Sequence, residues 1–276
     1  MNAAVGVHTS AVEVIVRPMQ TRAVVALARI EGRRLITHPA VVVTVALAIL
    51  QGVPFILSRD ATPEHDVGWL LQVSALFISF GALLAANLVA LKSRRNGSEE
   101  LFQSAPLSPA ARTIALALAA VGLMALLTLF LLVGDYFIRS AGKGAATDTG
   151  RSLFPMFDLV QGPLVAGLFV LIGIAVARWF PRALAGPVVV VGLFTAINLA
   201  EKAATDAAWL RLTPVDPAFL DHGGMLAALH VAYLGGLAAV ILAVAILRFG
   251  WTRAARAGLV GGLGIAAVTA VFQLAS

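Results

Sequence analysis

Seven apolar runs dominate the chain, at Pro39–Leu57, Gly68–Leu91, Thr113–Ile138, Phe157–Ala177, Ala183–Leu199, Met225–Phe249 and Gly258–Leu274. Each holds about 20 residues, the length at which a helix crosses the hydrocarbon of a bilayer. The charged segments between them are too short to be domains. Ahead of the first run the period becomes helical: from Met19 to Leu35, Arg22, Arg29 and Arg33 fall on one face and Met19, Ala23, Leu27 and Ile30 largely on another. A basic amphipathic helix of this kind is expected to lie in the headgroup layer. His38-Pro39 predicts a break between it and the first span, because the residue before a proline is pushed out of helical geometry. A plain cytosolic extension of that span is the alternative. Met1 to Gln20 lacks a basic leader with a continuous apolar core and carries Glu13, so it reads as a loosely ordered cytosolic lead rather than a signal peptide. The expected fold is all-α, a polytopic membrane protein of six to seven transmembrane helices preceded by an amphipathic interfacial helix. Residues 1–38 form the lead and interfacial helix, and residues 39–276 the transmembrane domain.

Composition points the same way. Hydrophobic residues make up 60% and charged residues 12%, with a mean hydropathy of +0.93, where soluble proteins carry roughly 25% charged residues. A formal charge of +6 could suggest nucleic acid. The cations, however, stand at the ends of apolar runs, with no aromatic interleaving to stack bases. Without cysteine there is no disulfide, thiolate nucleophile, Cys-ligated zinc or iron–sulfur cluster.

The cations also orient the spans. With the amino terminus inside, one side gathers Arg17, Arg22, Arg29, Arg33, Arg34, Lys92, Arg94, Arg95, Arg112, Arg178, Arg182, Arg248, Arg253 and Arg256, fourteen of the twenty. The other side keeps Arg59, Arg139, Lys143, Arg151, Lys202 and Arg211. Retained cytosolic cations predict this sense of insertion, with a cytoplasmic amino terminus and, if all seven runs cross, an external carboxyl terminus.

Between the second and third runs lies a charged, turn-rich island, Lys92 to Arg112. Asn96-Gly97 is a turn signal. Ser98 is placed to cap a short helix whose first turn holds Glu99 and Glu100, at the positive end of the helix dipole. Pro106 stops it, and Ser108-Pro109 restarts the chain as cap and first residue of the next helix. Such a surface helix, offering Glu99, Glu100, Leu101 and Phe102 to the cytosol, is a handle for something outside the membrane; a capped turn touching only headgroups is the bland reading.

This island resembles the cytoplasmic loop of type-2 ATP-binding-cassette (ABC) transporter permeases, the membrane subunits of bacterial exporters. The match lies in Arg94-Arg95-Asn96-Gly97-Ser98-Glu99-Glu100-Leu101 followed by Ala105-Pro106-Leu107-Ser108. A second match, Ala28-Arg29-Ile30-Glu31-Gly32-Arg33-Arg34-Leu35 leading through His38-Pro39, is similar to the interfacial helix with which these permeases begin. The resemblance implies a permease subunit in a bacterial inner membrane, paired with a second copy or a homologous half. It also implies a separate nucleotide-binding ATPase subunit carrying ATP and Mg. Arg94, Arg95, Glu99, Glu100, Leu101 and Phe102 would couple to that ATPase, with Arg22, Arg29, Glu31, Arg33 and Arg34 on the interfacial helix. Six spans with both ends cytosolic are common in the family, so a seventh, glycine-rich segment departs from its pattern.

No energy source is legible on the chain itself. Gly142-Lys143-Gly144 lacks the leading glycine and the hydroxyl residue of a P-loop, and it sits in an outer loop. Polar residues within or near the spans, the usual pointers to a path, are Gln51, Gln72, Asn87, Asp135, Asp158, Gln161, Asn198, Glu201, Lys202 and His230. Most fall near span boundaries, which weighs against a proton-coupled carrier, and His230 reads as a packing histidine. Pro54, Pro163 and Pro187 are expected to bend their helices. Ser74, Ser79 and His230 form no serine-protease motif, and no grouped His and Glu ligands suggest a metal hydrolase. The reading is thus a non-catalytic transport subunit; the alternatives are an ATP-independent transporter or scaffold and a membrane-embedded enzyme.

Overall fold

A computed structural model describes residues 9–57, 65–95, 107–140, 156–203, 212 and 224–275, with side chains described over a somewhat smaller set. Among these residues the chain forms eight α-helices: α1 (Thr9–Ile36), α2 (Pro39–Leu57), α3 (His65–Arg95), α4 (Pro109–Ser140), α5 (Met156–Trp179), α6 (Ala185–Ala203), α7 (Gly224–Leu247) and α8 (Arg253–Ala275). Five of them, α3, α4, α5, α7 and α8, are long and apolar enough to cross a membrane, and α1 with α2 make a sixth if the bent pair counts as one span. Among the described residues the fold is all-helical, with the long apolar helices of a polytopic membrane protein.

One of the seven apolar runs is shorter than a full span. The apolar part of α6 is Ala185–Leu199, about 22 Å at 1.5 Å per residue, against the roughly 30 Å of a bilayer core. The helix at the amino-terminal side also differs from expectation. It begins at Thr9, so Thr9 to Met19, read as loose lead, is helical. Its buried stripe is Ala28, Gly32 and Leu35, whereas Ile30 is more than half exposed. Small residues at four-residue spacing let α1 lie close on another helix, and that helix is α4. A Cβ built on Gly32 would stand 3.6 Å from the Ala119 carbonyl oxygen, and one on Gly122 would meet Ile36 Cδ1 at 3.8 Å. The order of these pairs shows that α1 and α4 run parallel. Helix α1 thus packs on α4 through Ala28, Gly32 and Leu35.

The break before α2 occurs where the proline places it. The Thr37 amide still donates to the Arg33 carbonyl at 3.0 Å, and the His38 amide reaches Leu35 O at 3.2 Å. His38 Nδ1 then accepts from the Ala40 amide at 3.2 Å, capping a helix whose first residue is Pro39. The two helices meet at 50°. Ser108 caps α4 in the same way, accepting the Ala111 amide at 3.2 Å. Pro187 falls in the first turn of α6, where no intrahelical donor is lost, so it starts a helix instead of bending one.

Contacts along the bundle give each helix its direction. Ala48 lies with Ala75 and Ile78, and Leu127 and Leu131 with the same residues, while Ala120 and Leu123 lie with Ala82, Ala85 and Ala86. Helix α3 is therefore antiparallel to α2 and to α4. Gly162 meets Leu131 and Gly167 meets Met124, so α5 is antiparallel to α4. Phe169 packs with Leu234, and Trp179 Nε1 donates to Val244 O at 3.0 Å, so α7 is parallel to α5. Helix α6, which returns between them, runs from Gly186 beside Asn87 to Phe194 beside Phe80, where ring centroids are 6.1 Å apart. Gly236 faces Gly262 and Gly258 faces Ala243, closing α7 and α8 into an antiparallel hairpin. Directions alternate from α2 to α8 even though α6 is short. The best-packed elements are α3 and α5, whose buried residues Leu83, Ala86, Val165, Phe169 and Ile174 form the centre.

Candidate functional site

Because directions alternate, the ends of α3, α5 and α7 and the starts of α4, α6 and α8 share one end of the bundle. That end is basic. Lys92, Arg182, Arg248, Arg253 and Arg256 are exposed there, with Arg112 and Arg178 half-buried. Arg112 Nε donates to Leu107 O at 3.3 Å, fixing the entry to α4. The Arg178 guanidinium carbon stands 5.6 Å over the Phe249 ring, within cation–π range. Gly250, at φ 136°, makes the turn between α7 and α8, a backbone region that a side chain would strain.

Helix α1 carries Arg22, Arg29, Arg33 and Arg34, all exposed, and the half-buried Glu31. Arg34 Nη1 donates to Glu31 Oε1 at 2.7 Å. The α1–α4 register, Gly32 beside Ala119 and Ile36 beside Gly122, carries Arg22 toward the Ser108–Pro109 start of α4. Arg94 and Arg95 occupy the last turn of α3, and their side chains lie outside the described residues. Glu99, Glu100, Leu101 and Phe102 also lie outside the described residues. The framework around the island is thus in view: α3 leads into it, α4 leads out, and α1 is seated on α4.

Among the described residues the buried polar side chains are Ser74, Ser79, Asn87, Thr113, Gln161, His230, Thr269 and Gln273. Ser79, Thr113 and Thr269 return their hydroxyls to carbonyls four residues earlier, which satisfies them within their own helices. Asn87 bridges helices instead, donating to Gly173 O at 3.3 Å. A Cβ on Gly162 would stand 3.2 Å from Ala75 Cβ, which sets Gln161 level with Ser74. Ser74 on α3 and Gln161 on α5 therefore share one layer, toward the end opposite the basic one. His230, one turn before Leu234 on α7, is buried as well. His230 also stacks toward Tyr233, with centroids 6.0 Å apart. Of the other polar candidates, Gln51 is half-buried and Asn198 is exposed, with Nδ2 donating to Phe194 O at 2.7 Å. The side chains of Gln72, Asp135, Asp158, Glu201 and Lys202 lie outside the described residues.

No family model, curated protein or solved structure matches the chain.

Proposed function

We propose that this chain is the membrane-spanning permease subunit of an ATP-driven ABC exporter in a bacterial inner membrane, with a cytoplasmic amino terminus and a non-catalytic role. A second copy or a homologous half completes the path. ATP and Mg belong to a separate ATPase subunit that docks at the basic end.

The observation that carries the reading is the seating of α1 on α4, with Gly32 against Ala119. It joins the basic helix to α4, the helix that leads out of the island. A force applied to the 96–106 segment then acts on α3 and α4 together. In this reading Glu99 and Glu100 meet cations of the ATPase while Leu101 and Phe102 fill a groove on it, and Arg94 and Arg95 hold the end of α3. Nucleotide-driven closure of two ATPases displaces the segment, and the packed α3–α5 centre transmits the displacement into the bundle.

The test is a pull-down of tagged protein in mild detergent with an ATPase assay on the eluate. A co-purifying P-loop ATPase, lost in the E99K/E100K double variant, is the expected result. A stable preparation that brings down no ATPase overturns the reading and favours an ATP-independent transporter.

A further inference from the structure

Between α1 and α4 runs an open groove of about 570 Å³, inside the range of roughly 300–1,000 Å³ in which proteins hold small amphiphilic molecules. Its floor is small and apolar, made by Ala28 and Gly32 on one helix and Ala119 and Gly122 on the other, and Ile36 and Val121 line its deeper part. Arg29 and Arg33, one turn apart, line it between Val25 and Ile36, and both are exposed. Among the described residues neither forms an ion pair, whereas Arg34 next door is held by Glu31.

We propose that this groove binds one anionic phospholipid, its acyl chain between α1 and α4 and its phosphate on Arg29 and Arg33. The inference rests on the membrane reading of the bundle and not on the identity of the transporter. Charge complementarity selects the occupant. Two guanidiniums at i and i+4 suit a phosphate that accepts from both, and long basic side chains carry their charge toward the headgroup level. The apolar floor between them has no use for a free anion. Along α1 the lining runs Val25, Arg29, Arg33 and Ile36, so a chain leaving the two guanidiniums has apolar lining beside it on Ile36, Ala119 and Gly122. A lipid seated here fills the cleft between α1 and α4, so its presence stiffens the joint on which the basic helix depends.

The experiment is native mass spectrometry of the full-length protein in detergent, titrated with phosphatidylglycerol or with phosphatidylcholine of the same chains. Phosphatidylglycerol is expected to be retained in preference. R29Q/R33Q is expected to lower its apparent affinity about tenfold, the factor that 1.4 kcal/mol represents, with R34Q close to wild type. G122L, which fills the floor, is expected to lower retention while leaving the arginines in place. In wild-type protein, phosphatidylglycerol carrying a photoreactive group on its chain is expected to label residues 118–122, a readout independent of any variant. Equal retention of the two lipids, indifference to R29Q/R33Q, or displacement of the lipid by inorganic phosphate overturns the proposal. A protein that stays monodisperse without detergent overturns the membrane reading beneath it.

Discussion

Asn87 donates its Nδ2 hydrogen to the carbonyl oxygen of Gly173 at 3.3 Å, joining the two most deeply buried helices near their basic ends. The same side chain leans on Gly186, where an added Cβ would come within 2.8 Å of Asn87 Oδ1. One amide therefore registers α3, α5 and the start of α6.

Replacing Asn87 by leucine removes this bond and leaves α6 without its neighbour. An interhelical hydrogen bond in a membrane bundle is worth about 0.6 kcal/mol on average and up to about 1.7. N87L is expected to lose stability of that order in a mixed-micelle unfolding titration. G186V, which pushes on the amide from the other side, is expected to show a similar loss, and an unchanged transition in both variants would refute this role.

Gly81 is the point at which α2 crosses α3. A Cβ there would overlap the Thr44 hydroxyl and stand 2.7 Å from the Ala40 carbonyl oxygen, while Thr44 Oγ1 itself donates to Ala40 O at 2.9 Å. G81A is expected to cost about 1–3 kcal/mol, the range for overpacked cores. T44A removes two of the three nearest atoms, so G81A/T44A should recover part of the loss. Strict additivity of the two changes would refute the contact.

Glycines of α8 divide into two classes. Gly262 approaches the Gly236 carbonyl so closely that a Cβ would be 2.7 Å from it, while Gly261 and Gly264 have nothing within 4 Å. Only the first requires absence of a side chain. G262L is expected to lower the thermal midpoint in detergent and expose the α7–α8 turn to protease, whereas G261L and G264L should behave as wild type.

Since the chain has no cysteine, single cysteines can map its sides directly. Probes at Lys92, Arg182 and Arg253 stand at the basic end, and one at Ser140 stands at the other. Impermeant maleimide added to right-side-out vesicles is expected to label only the Ser140 site, and inverted vesicles the other three. A mixed result among the three basic sites would break the alternation of helix directions.

Local chemistry was the most legible part of the fold. Pro39 and Pro109 mark helix starts because a proline costs nothing where no donor is needed, and His38 and Ser108 supply the caps. The apolar runs located the helices for a similar reason, since length and hydropathy are properties of one segment. The place of α1 was not legible in the same way. A line of arginines looks alike whether the helix floats in headgroups or leans on a neighbour, and the deciding residues, Ala28 and Gly32, acquire meaning only opposite Ala119. The shortness of α6 was hidden too, because Val188 to Leu199 is as apolar as a true span. Among the site residues, Asn87 stood out as a polar group in an apolar run, but its acceptor is a backbone carbonyl, which has no signature in sequence. Thr44 and Gly81 were missed, and a lone glycine in the run Phe77 to Ala86 was their single signal. The shared level of Ser74 and Gln161 needed the register of α3 on α5 to be known first.

The bend at Thr37–His38 makes the chain carry its own protractor. One arm of that elbow belongs to α4 and the other to α3, so any parting of α3 from α4 has to register as a departure from 50°. A spectroscopic label on each arm would read that angle without knowledge of the cargo.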